Sequence, residues 1–304
     1  MKNAPLNIGI VGVGRFGSRH LEKWLTQDNA KLIGFCDIDP DVQTSVQKNK
    51  HISYFSLEAL IAQADIIDIV VPAISHYEIA KQALEAGKHV FIEKPFTETL
   101  EQAQHLADLA KQSGCLIGIG HIERFNPVFL ALKKKISAPL VSLNAYRQGP
   151  FIPGVGLDVS IVMELMIHDI DLVRQLIPLS IKNITAEGDI IHSNKIDRAT
   201  AILTFENGCK VTLFASRAEN SRRREIICFT NTNTYTANLM ERSLLVSDSK
   251  KIVSFKEYDA MAEELYDFAE AVRSKQKHLV NEADGLASIR VAKEIEKCIL
   301  YKKQ

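Results

Sequence analysis

Three glycines and an aspartate near the start of the chain are the first residues that indicate chemistry. Gly12, Gly14 and Gly17 follow a strand-like apolar run and precede a helical pattern, and Asp37 lies about 20 residues further on. Gly12 permits a tight turn, Gly14 lets the backbone approach a ligand, and Gly17 lets the helix pack close to the strand. The amide groups at the start of the helix then face an anion. The pattern therefore predicts a site for the pyrophosphate of a dinucleotide.

Asp37 follows the strand-like segment KLIGFC and has two interpretations. It could cap the next helix, since aspartate is favoured at helix N-termini. Asp39 fills that role better, because it precedes Pro40, a good first helical residue. We therefore expect Asp37 to accept hydrogen bonds from the ribose hydroxyls of adenosine. No Arg or Lys lies between Ile38 and Gln47 to neutralise a 2′-phosphate, which favours NAD over NADP as the cofactor.

A lysine ends another strand-like segment, KHVFIE, which is followed by Lys94 and Pro95. Ligands of parallel sheets bind beyond the carboxyl ends of the strands. Lys94 would then lie where a nicotinamide and its substrate meet. The alternative is an ordinary surface lysine before a turn proline, and the position at the end of the strand argues against it.

The segment MELMIHDIDLV combines an imidazole with two carboxylates. Glu164, His168 and Asp171 follow an i, i+4, i+7 spacing that predicts one helical face. Such a set is suited to proton transfer. A core helix with a hydrogen-bonded histidine is the alternative, but three polar residues in one stripe among Met, Leu and Ile favour a site.

Two domains are expected from the chain length and from the order of the elements. Residues 1–121 alternate strands and helices, which predicts an α/β Rossmann domain, a doubly wound parallel sheet. Residues 122–304 predict an α+β domain with a mostly antiparallel, open-faced sheet. The strands expected in the first domain are LNIGIV, KLIGFC, HISYF, ADIIDIVV, KHVFIE and CLIGIG.

Composition limits the class of partner. Lys plus Arg and Asp plus Glu are 37 each, so no net charge favours nucleic acid or an anionic membrane. No apolar stretch is long enough to span a bilayer, and no signal peptide is expected. The five cysteines are widely spaced without a CxxC pair, which predicts reduced thiols and no metal site. We expect a cytoplasmic protein that binds a small molecule.

The motifs together resemble the glucose–fructose oxidoreductase, inositol dehydrogenase and MocA (Gfo/Idh/MocA) family. The resemblance is carried by GVGRFG, by HYEIAKQALEAGKHVFIEKP and by ELMIHDIDL. It implies a Rossmann domain followed by an open-faced sheet domain that often forms the dimer interface. It also implies NAD(P)-linked oxidation or reduction of sugar hydroxyls, and an assembly into a homodimer or homotetramer through the second-domain sheet.

The resemblance also implies roles for single residues. Lys94 matches the lysine that orients the nicotinamide ribose and the reacting hydroxyl, and His168 matches the proton-transferring histidine. Glu164, the third catalytic residue implied, stands where the family usually has aspartate. For His76 a helix-capping role and a cofactor contact both remain open. The cofactor-binding residues implied are Gly12, Gly14, Arg15, Phe16, Gly17, Asp37, Pro72, His76, Glu93 and Lys94.

Within the family, HIERFNP, RQGP and ELMIHDIDLV resemble the members that oxidise UDP-N-acetylglucosamine at C3. The substrate-binding residues implied are Arg124, Asn126, Arg147 and Asp171. An ion pair of Arg124 with Glu123 is an equal alternative. We therefore expect an NAD-dependent dehydrogenase of a UDP-sugar. Oxidation of a free polyol or monosaccharide is one alternative. A non-catalytic NAD-binding regulator is the other. Lys94 and His168 argue against it, because a regulator does not need a general base.

Overall fold

The chain folds into two compact units. The structure, a computed structural model, describes residues 5–247, 251–256 and 258–301. The first unit comprises Met1–Ile122 and Met261–Leu286, and the second comprises Glu123–Ala260 and Ala287–Gln304. Each unit is built around its own sheet.

The sheet of the first unit is parallel, with the strand order β2-β1-β3-β4-β5 in the described ranges. Its strands are β1 (Leu6–Val11), β2 (Ala30–Cys36), β3 (Ile66–Ile69), β4 (His89–Glu93) and β5 (Ile117–Gly120). They are rich in Ile and Val because helices cover both faces of a parallel sheet. The helices between them are α1 (Gly17–Trp24), α2 (Pro40–Lys50), α3 (Leu57–Gln63), α4 (His76–Glu85) and α5 (Leu100–Ser113). The predicted Rossmann fold is confirmed.

One expected strand, HISYF at residues 51–55, is not formed. The segment makes a single parallel bridge, between Phe35 and Tyr54. His51 adopts a left-handed conformation at the end of α2, and Ser56 caps α3. Only a few residues are therefore left to pair with the edge of the sheet.

A segment late in the chain, Met261–Leu286, packs with the first unit, although the order of elements in the sequence predicts it in the second domain. Part of α8 (Ala260–Ser274) supplies apolar side chains to the core around β1 and β4. Phe268, for example, lies 5.5 Å from Phe91 between ring centroids. The residues of α8 in this core are Met261, Leu265, Phe268, Ala269 and Val272.

The sheet of the second unit has the order β13-β12-β11-β10-β6-β9-β8-β7 among the described residues. The β6–β9 pair is parallel and the other pairs are antiparallel. The strands are β6 (Ser142–Gln148), β7 (Ile181–Asp189), β8 (Arg198–Phe205), β9 (Lys210–Ser216), β10 (Arg223–Phe229), β11 (Thr234–Asn238), β12 (Ser243–Val246) and β13 (Lys251–Ser254). Buried and less buried residues alternate along β6 and β8, as in a sheet with one covered face. The predicted, mostly antiparallel second sheet is confirmed.

The other helices are α6 (Pro127–Lys135), α7 (Ile167–Leu176) and α9 (Glu282–Tyr301). A π-helical turn, Val162–Met166, leads directly into α7. The sequence predicts one regular helix there, near residues 160–176, and the wider π turn interrupts it. In the described part of the chain, no helix has the length and hydropathy needed to cross a bilayer.

Candidate cofactor and active-site residues

The turn formed by the three glycines has no room for a larger residue at Gly12 and Gly17. At Gly12, which has a φ of +86°, a Cβ would lie 2.5 Å from the Val70 carbonyl oxygen. At Gly17 it would lie 1.9 Å from the Gly12 carbonyl oxygen. At Gly14, in contrast, no atom of the described residues beyond its own chain neighbours lies within 4 Å of the Cβ position. Two glycines are therefore required by internal packing, whereas Gly14 leaves an open surface for a ligand.

Helix α1 begins at this turn without a capping side chain or an acidic residue in its first turn. Its first amide groups and the positive end of its dipole therefore remain suited to an anion. The Arg15 and Phe16 side chains, beside the open face of the turn, are exposed. The donor set fits the pyrophosphate of a dinucleotide.

Asp37 is held beside the glycine turn. Its Oδ2 accepts a hydrogen bond from the backbone N–H of Val13 at 2.7 Å, and its Oδ1 accepts one from Asp39 at 2.9 Å. Asp39 itself caps α2 through the backbone N–H of Asp41, as the sequence predicts. Asp37 is half-buried, and its carboxylate is fixed where the remaining lone pairs suit ribose hydroxyls.

Lys94 lies in a turn that is braced on both sides. The Glu93 Oε2 accepts the backbone N–H of Lys94 at 3.1 Å. On the other side, His76 Nδ1 lies 2.8 Å from the Pro95 carbonyl oxygen, and its Nε2 lies 2.9 Å from that of Val71. Burial lowers the pKa of His76 despite these contacts. His76 therefore links the turn after β3 to the turn after β4. Pro72, in the first of these turns, is exposed.

The π-helical turn carries Glu164 and leads to His168. Both side chains are half-buried. Glu164 lies against the loop that precedes it, because a Cβ on Gly156 would come within 3.1 Å of its Cδ. A π turn has more residues than an α turn, so the expected i, i+4 alignment of Glu164 and His168 is altered. Such turns occur frequently at functional sites.

Arg124 and Asp171 form a bidentate ion pair in the second unit. Arg124 Nε donates to Asp171 Oδ2 at 2.7 Å, and Nη2 donates to Oδ1 at 2.5 Å. Both side chains are buried. Arg124 therefore does form an ion pair, but with Asp171 instead of Glu123.

Arg147 forms a second buried cluster with Asp169 and Glu123. Its Nε and Nη2 donate to Asp169 at 3.0 and 2.8 Å, and its Nη1 donates to Glu123 at 2.7 Å. Burial opposes the charge of Arg147, but the two carboxylates outweigh it and raise the pKa of Arg147. Asn126 caps α6 through Val128 and donates to Glu123 at 3.0 Å. The guanidinium of Arg147 is committed to internal partners.

Arg224 is the arginine beside this cluster that reaches the surface, and sequence reasoning missed it. It pairs with Arg147 across β6 and β10. Its Nη1 lies 3.7 Å from Glu123, and 50% of its side chain is exposed. In the sequence, the run Arg222, Arg223 and Arg224 predicts a solvated surface. The alternation of side chains along β10 could have revealed the role of Arg224, because it places Arg224 on the same face as the buried Ile226 and Cys228.

No group of three or more His, Cys, Asp or Glu side chains in the described ranges is arranged to hold a metal ion.

Comparison with known families agrees with the geometry. The profile described as "Oxidoreductase family, NAD-binding Rossmann fold" matches residues 6–121. The profile of the GFO/IDH/MocA C-terminal domain matches residues 156–235. This chain belongs to the Gfo/Idh/MocA oxidoreductase family. The first unit therefore contains the family's NAD-binding domain.

Several members of the Gfo/Idh/MocA family are similar over nearly the whole chain. UDP-N-acetylglucosamine 3-dehydrogenase of Acidithiobacillus ferrooxidans is 30% identical over 94% of both chains. Its solved structure matches with a TM-score of 0.93 and 29% identity, over 99% of this chain and 100% of that one. The scyllo-inositol 2-dehydrogenase (NAD(+)) of Bacillus subtilis is 26% identical over 93% of this chain and 90% of its own length.

A third Gfo/Idh/MocA structure shows the fold alone. Scyllo-inositol dehydrogenase from Lactobacillus casei, solved with bound NAD(H) and scyllo-inositol, has a TM-score of 0.83 at 20% identity over 98% of both chains. These comparisons establish an oxidoreductase family with an NAD-binding domain.

Proposed function

We propose that this protein is an NAD-dependent dehydrogenase that oxidises a hydroxyl of a UDP-sugar, such as C3 of UDP-N-acetylglucosamine, to a ketone. The observation that carries the proposal is the near-complete match to a UDP-N-acetylglucosamine 3-dehydrogenase, 30% identical in sequence and with a TM-score of 0.93. The full-length match to the B. subtilis inositol enzyme is weaker, at 26% identity.

When bound, NAD supplies the nicotinamide that accepts a hydride from the substrate carbon. We propose that the backbone around Gly14 and the start of α1 bind its pyrophosphate, with Arg15 and Phe16 at the rim. Asp37 accepts hydrogen bonds from the adenosine ribose. The same carboxylate repels a 2′-phosphate, so NAD is preferred over NADP.

Lys94 donates a hydrogen bond to the reacting hydroxyl in this proposal. Its positive charge stabilises the negative charge that develops on that oxygen as the proton leaves. His168 accepts the proton as a general base, a role that suits imidazole near neutral pH. Glu164 orients the imidazole or a neighbouring sugar hydroxyl. Glu93 and His76 hold the Lys94 turn in place.

The buried ion pairs modify the expected substrate contacts. The guanidinium groups of Arg124 and Arg147 bind Asp171 and Asp169 in a bidentate manner. The paired N–H donors that would suit a diphosphate are therefore already used in these ion pairs. We propose that these pairs, with Asn126, shape the substrate region from within. Arg224, half exposed beside them, contacts the charged part of the substrate.

The exposed face of the second sheet is the surface we propose for assembly into a dimer or tetramer. Ile202 and Ile252 are 42% and 62% exposed. Sedimentation should give a multiple of the 33.9 kDa chain mass, and a monomer at micromolar concentration would contradict this part of the proposal.

A substrate panel tests the function. The protein is incubated with NAD and, separately, with UDP-N-acetylglucosamine, free N-acetylglucosamine and scyllo- or myo-inositol, and reduced nicotinamide is followed by absorbance. We expect oxidation of the UDP-sugar and little of the free sugar, because the nucleotide supplies binding energy that positions the sugar. Oxidation of inositol without a response to UDP-sugars would support the free-polyol alternative. NAD binding without turnover of any substrate would support the regulator.

The exposed arginine provides a matched comparison. Arg224→Gln should raise the KM for the UDP-sugar and leave that for NAD unchanged. Arg223→Gln is the control, because Arg223 is on the opposite face of β10, with its guanidinium 3.7 Å from the Tyr146 ring centroid. Equal effects of the two variants on the KM for the UDP-sugar would contradict the proposal that Arg224 contacts the substrate.

A further inference from the structure

His20 is a buried histidine between two carboxylates. It lies on the inner face of α1 with Gly17, Leu21 and Trp24, and its side chain is 0% exposed. His20 Nδ1 lies 3.0 Å from Asp68 Oδ2, and its Nε2 lies 3.1 Å from Glu93 Oε1. A neutral imidazole can donate to only one of these acceptors, whereas an imidazolium donates to both.

The surroundings favour the charged form of His20. Burial alone would lower the pKa of His20, but the charges and hydrogen bonds of Asp68 and Glu93 outweigh it and raise the pKa to about 10. Trp24 Nε1 donates to the same Asp68 Oδ2 at 2.7 Å. The His20 imidazolium, on α1, is therefore held by Asp68 of β3 and Glu93 of β4, and Trp24 fixes the Asp68 carboxylate.

Glu93 connects the fixed His20 side chain to the neighbouring residue, Lys94. One of its oxygens contacts His20, while the other accepts the backbone N–H of Lys94. The carboxylate also packs on Gly120, where a Cβ would come within 2.6 Å of Oε1. Glu93 therefore has little freedom to move, and Lys94 is tied to it.

We propose that His20 is a positioning residue that connects the pyrophosphate-binding helix α1 to the turn carrying Lys94, so that binding of the dinucleotide and placement of the lysine are coupled. The proposal rests on the proposed function for its catalytic consequence. A buried ionic group is often replaceable by apolar residues without loss of stability. An apolar residue would fill the same space but would not fix Glu93, whereas His20 joins α1 to the Glu93 side chain of β4.

Chemical labelling of Lys94 tests the link without any substrate. The intact protein is acetylated with a limiting amount of acetic anhydride, with and without saturating NAD, and Lys94 modification is quantified by peptide mass spectrometry against Lys111 on α5. In the natural protein NAD should protect Lys94. In His20→Gln that still binds NAD, most of this protection should be lost.

His105→Gln is the matched control. His105 is an exposed histidine of the same unit, with its Nδ1 2.9 Å from the Tyr77 hydroxyl. This variant should retain full protection of Lys94 by NAD.

Where the UDP-sugar is turned over, His20→Gln should also lower kcat on the order of tenfold to a hundredfold, the effect of a small misplacement of a catalytic group. The KM for NAD should change much less.

Two further measurements keep the proposal falsifiable if His20→Gln does not fold. Glu93→Gln retains an acceptor for the Lys94 N–H but removes the charge that His20 binds, and it should lose protection in the same way. In the natural protein, Trp24 is the single tryptophan, so its indole N–H gives one resonance in a nitrogen-15 spectrum. NAD should shift that resonance.

Unchanged protection in a folded His20→Gln, or an indole resonance that does not respond to saturating NAD, would overturn the proposal. These readouts need only NAD. Failure to oxidise any UDP-sugar would instead overturn the proposed function and leave the coupling intact.

Discussion

The backbone N–H of Val13 donates a hydrogen bond to Asp37 at 2.7 Å, so the glycine turn itself holds the acidic side chain that follows β2. The two cofactor-binding features are therefore one structural unit. A change of the side chain at position 37 should alter cofactor choice more than it alters the fold.

Replacing Asp37 by Ser and Ile38 by Arg should shift preference towards NADP. The double variant removes a ribose acceptor and a repulsive charge, and it adds a partner for the 2′-phosphate. We expect the ratio of NADP to NAD affinity to rise on the order of tenfold or more, since a hydrogen bond to a charged group is worth about 1.5–3 kcal/mol. Titration of both cofactors measures it. Asp39→Asn, which keeps a good helix cap, is the control, and an unchanged ratio in the double variant would refute the role of Asp37.

His168→Asn should keep the fold and the affinity for NAD but lower turnover by roughly a hundredfold or more, the usual contribution of a general acid or base. Steady-state rates are compared under conditions where the chemical step limits turnover. His105→Asn should behave as the natural protein. Near-normal turnover of His168→Asn would exclude it as the proton acceptor.

Arg147→Met should destabilise the protein strongly, because it leaves Asp169 and Glu123 buried without their shared partner. Removing one partner of a buried ion pair lowers the free energy of unfolding by about 3–5 kcal/mol. Arg224→Met, at a half-exposed position, should lower it by at most about 1 kcal/mol. Urea unfolding of both variants distinguishes them. Equal effects would contradict the internal role of Arg147.

The charge of His20 should make stability depend on pH in the alkaline range. The pKa of His20 is raised in the folded protein, from its ordinary value of 6.5 to about 10, by Asp68 and Glu93 against the effect of burial. Its contribution is therefore complete below about pH 6.5 and is lost as pH rises through the folded pKa. The free energy of unfolding should fall by about 1 kcal/mol per pH unit between these values. His20→Gln should lack this slope, and parallel profiles would contradict the assignment.

Local features of this protein can be predicted from the sequence, whereas the pairings of residues far apart in the chain cannot. The glycine turn, Asp37 and the Asp39 cap are close in sequence or follow neighbouring strands, so their arrangement follows from strand–helix alternation. The partners of Arg124 and Arg147 are 47 and 22 residues away in the chain. Several carboxylates of α7 and its surroundings could serve them equally well, and only packing selects among these.

Two other features depend on the tertiary structure. The face of Arg224 is decided by the register of β10 against β6, because a shift by one residue turns every side chain over. Helix α8 packs with the first unit through apolar residues whose helical spacing would suit either core. Likewise, nothing in the pattern of residues 160–176 marks the π-helical turn at Glu164.

Transfer of a labelled hydrogen tests the central claim most directly. UDP-N-acetylglucosamine carrying deuterium at C3 is incubated with the protein and NAD, and the reduced cofactor is analysed by mass spectrometry. Oxidation at C3 by this chain predicts one deuterium in the reduced nicotinamide and a 3-keto UDP-sugar without it. Reduced cofactor without deuterium, or its formation from inositol alone, would contradict the account.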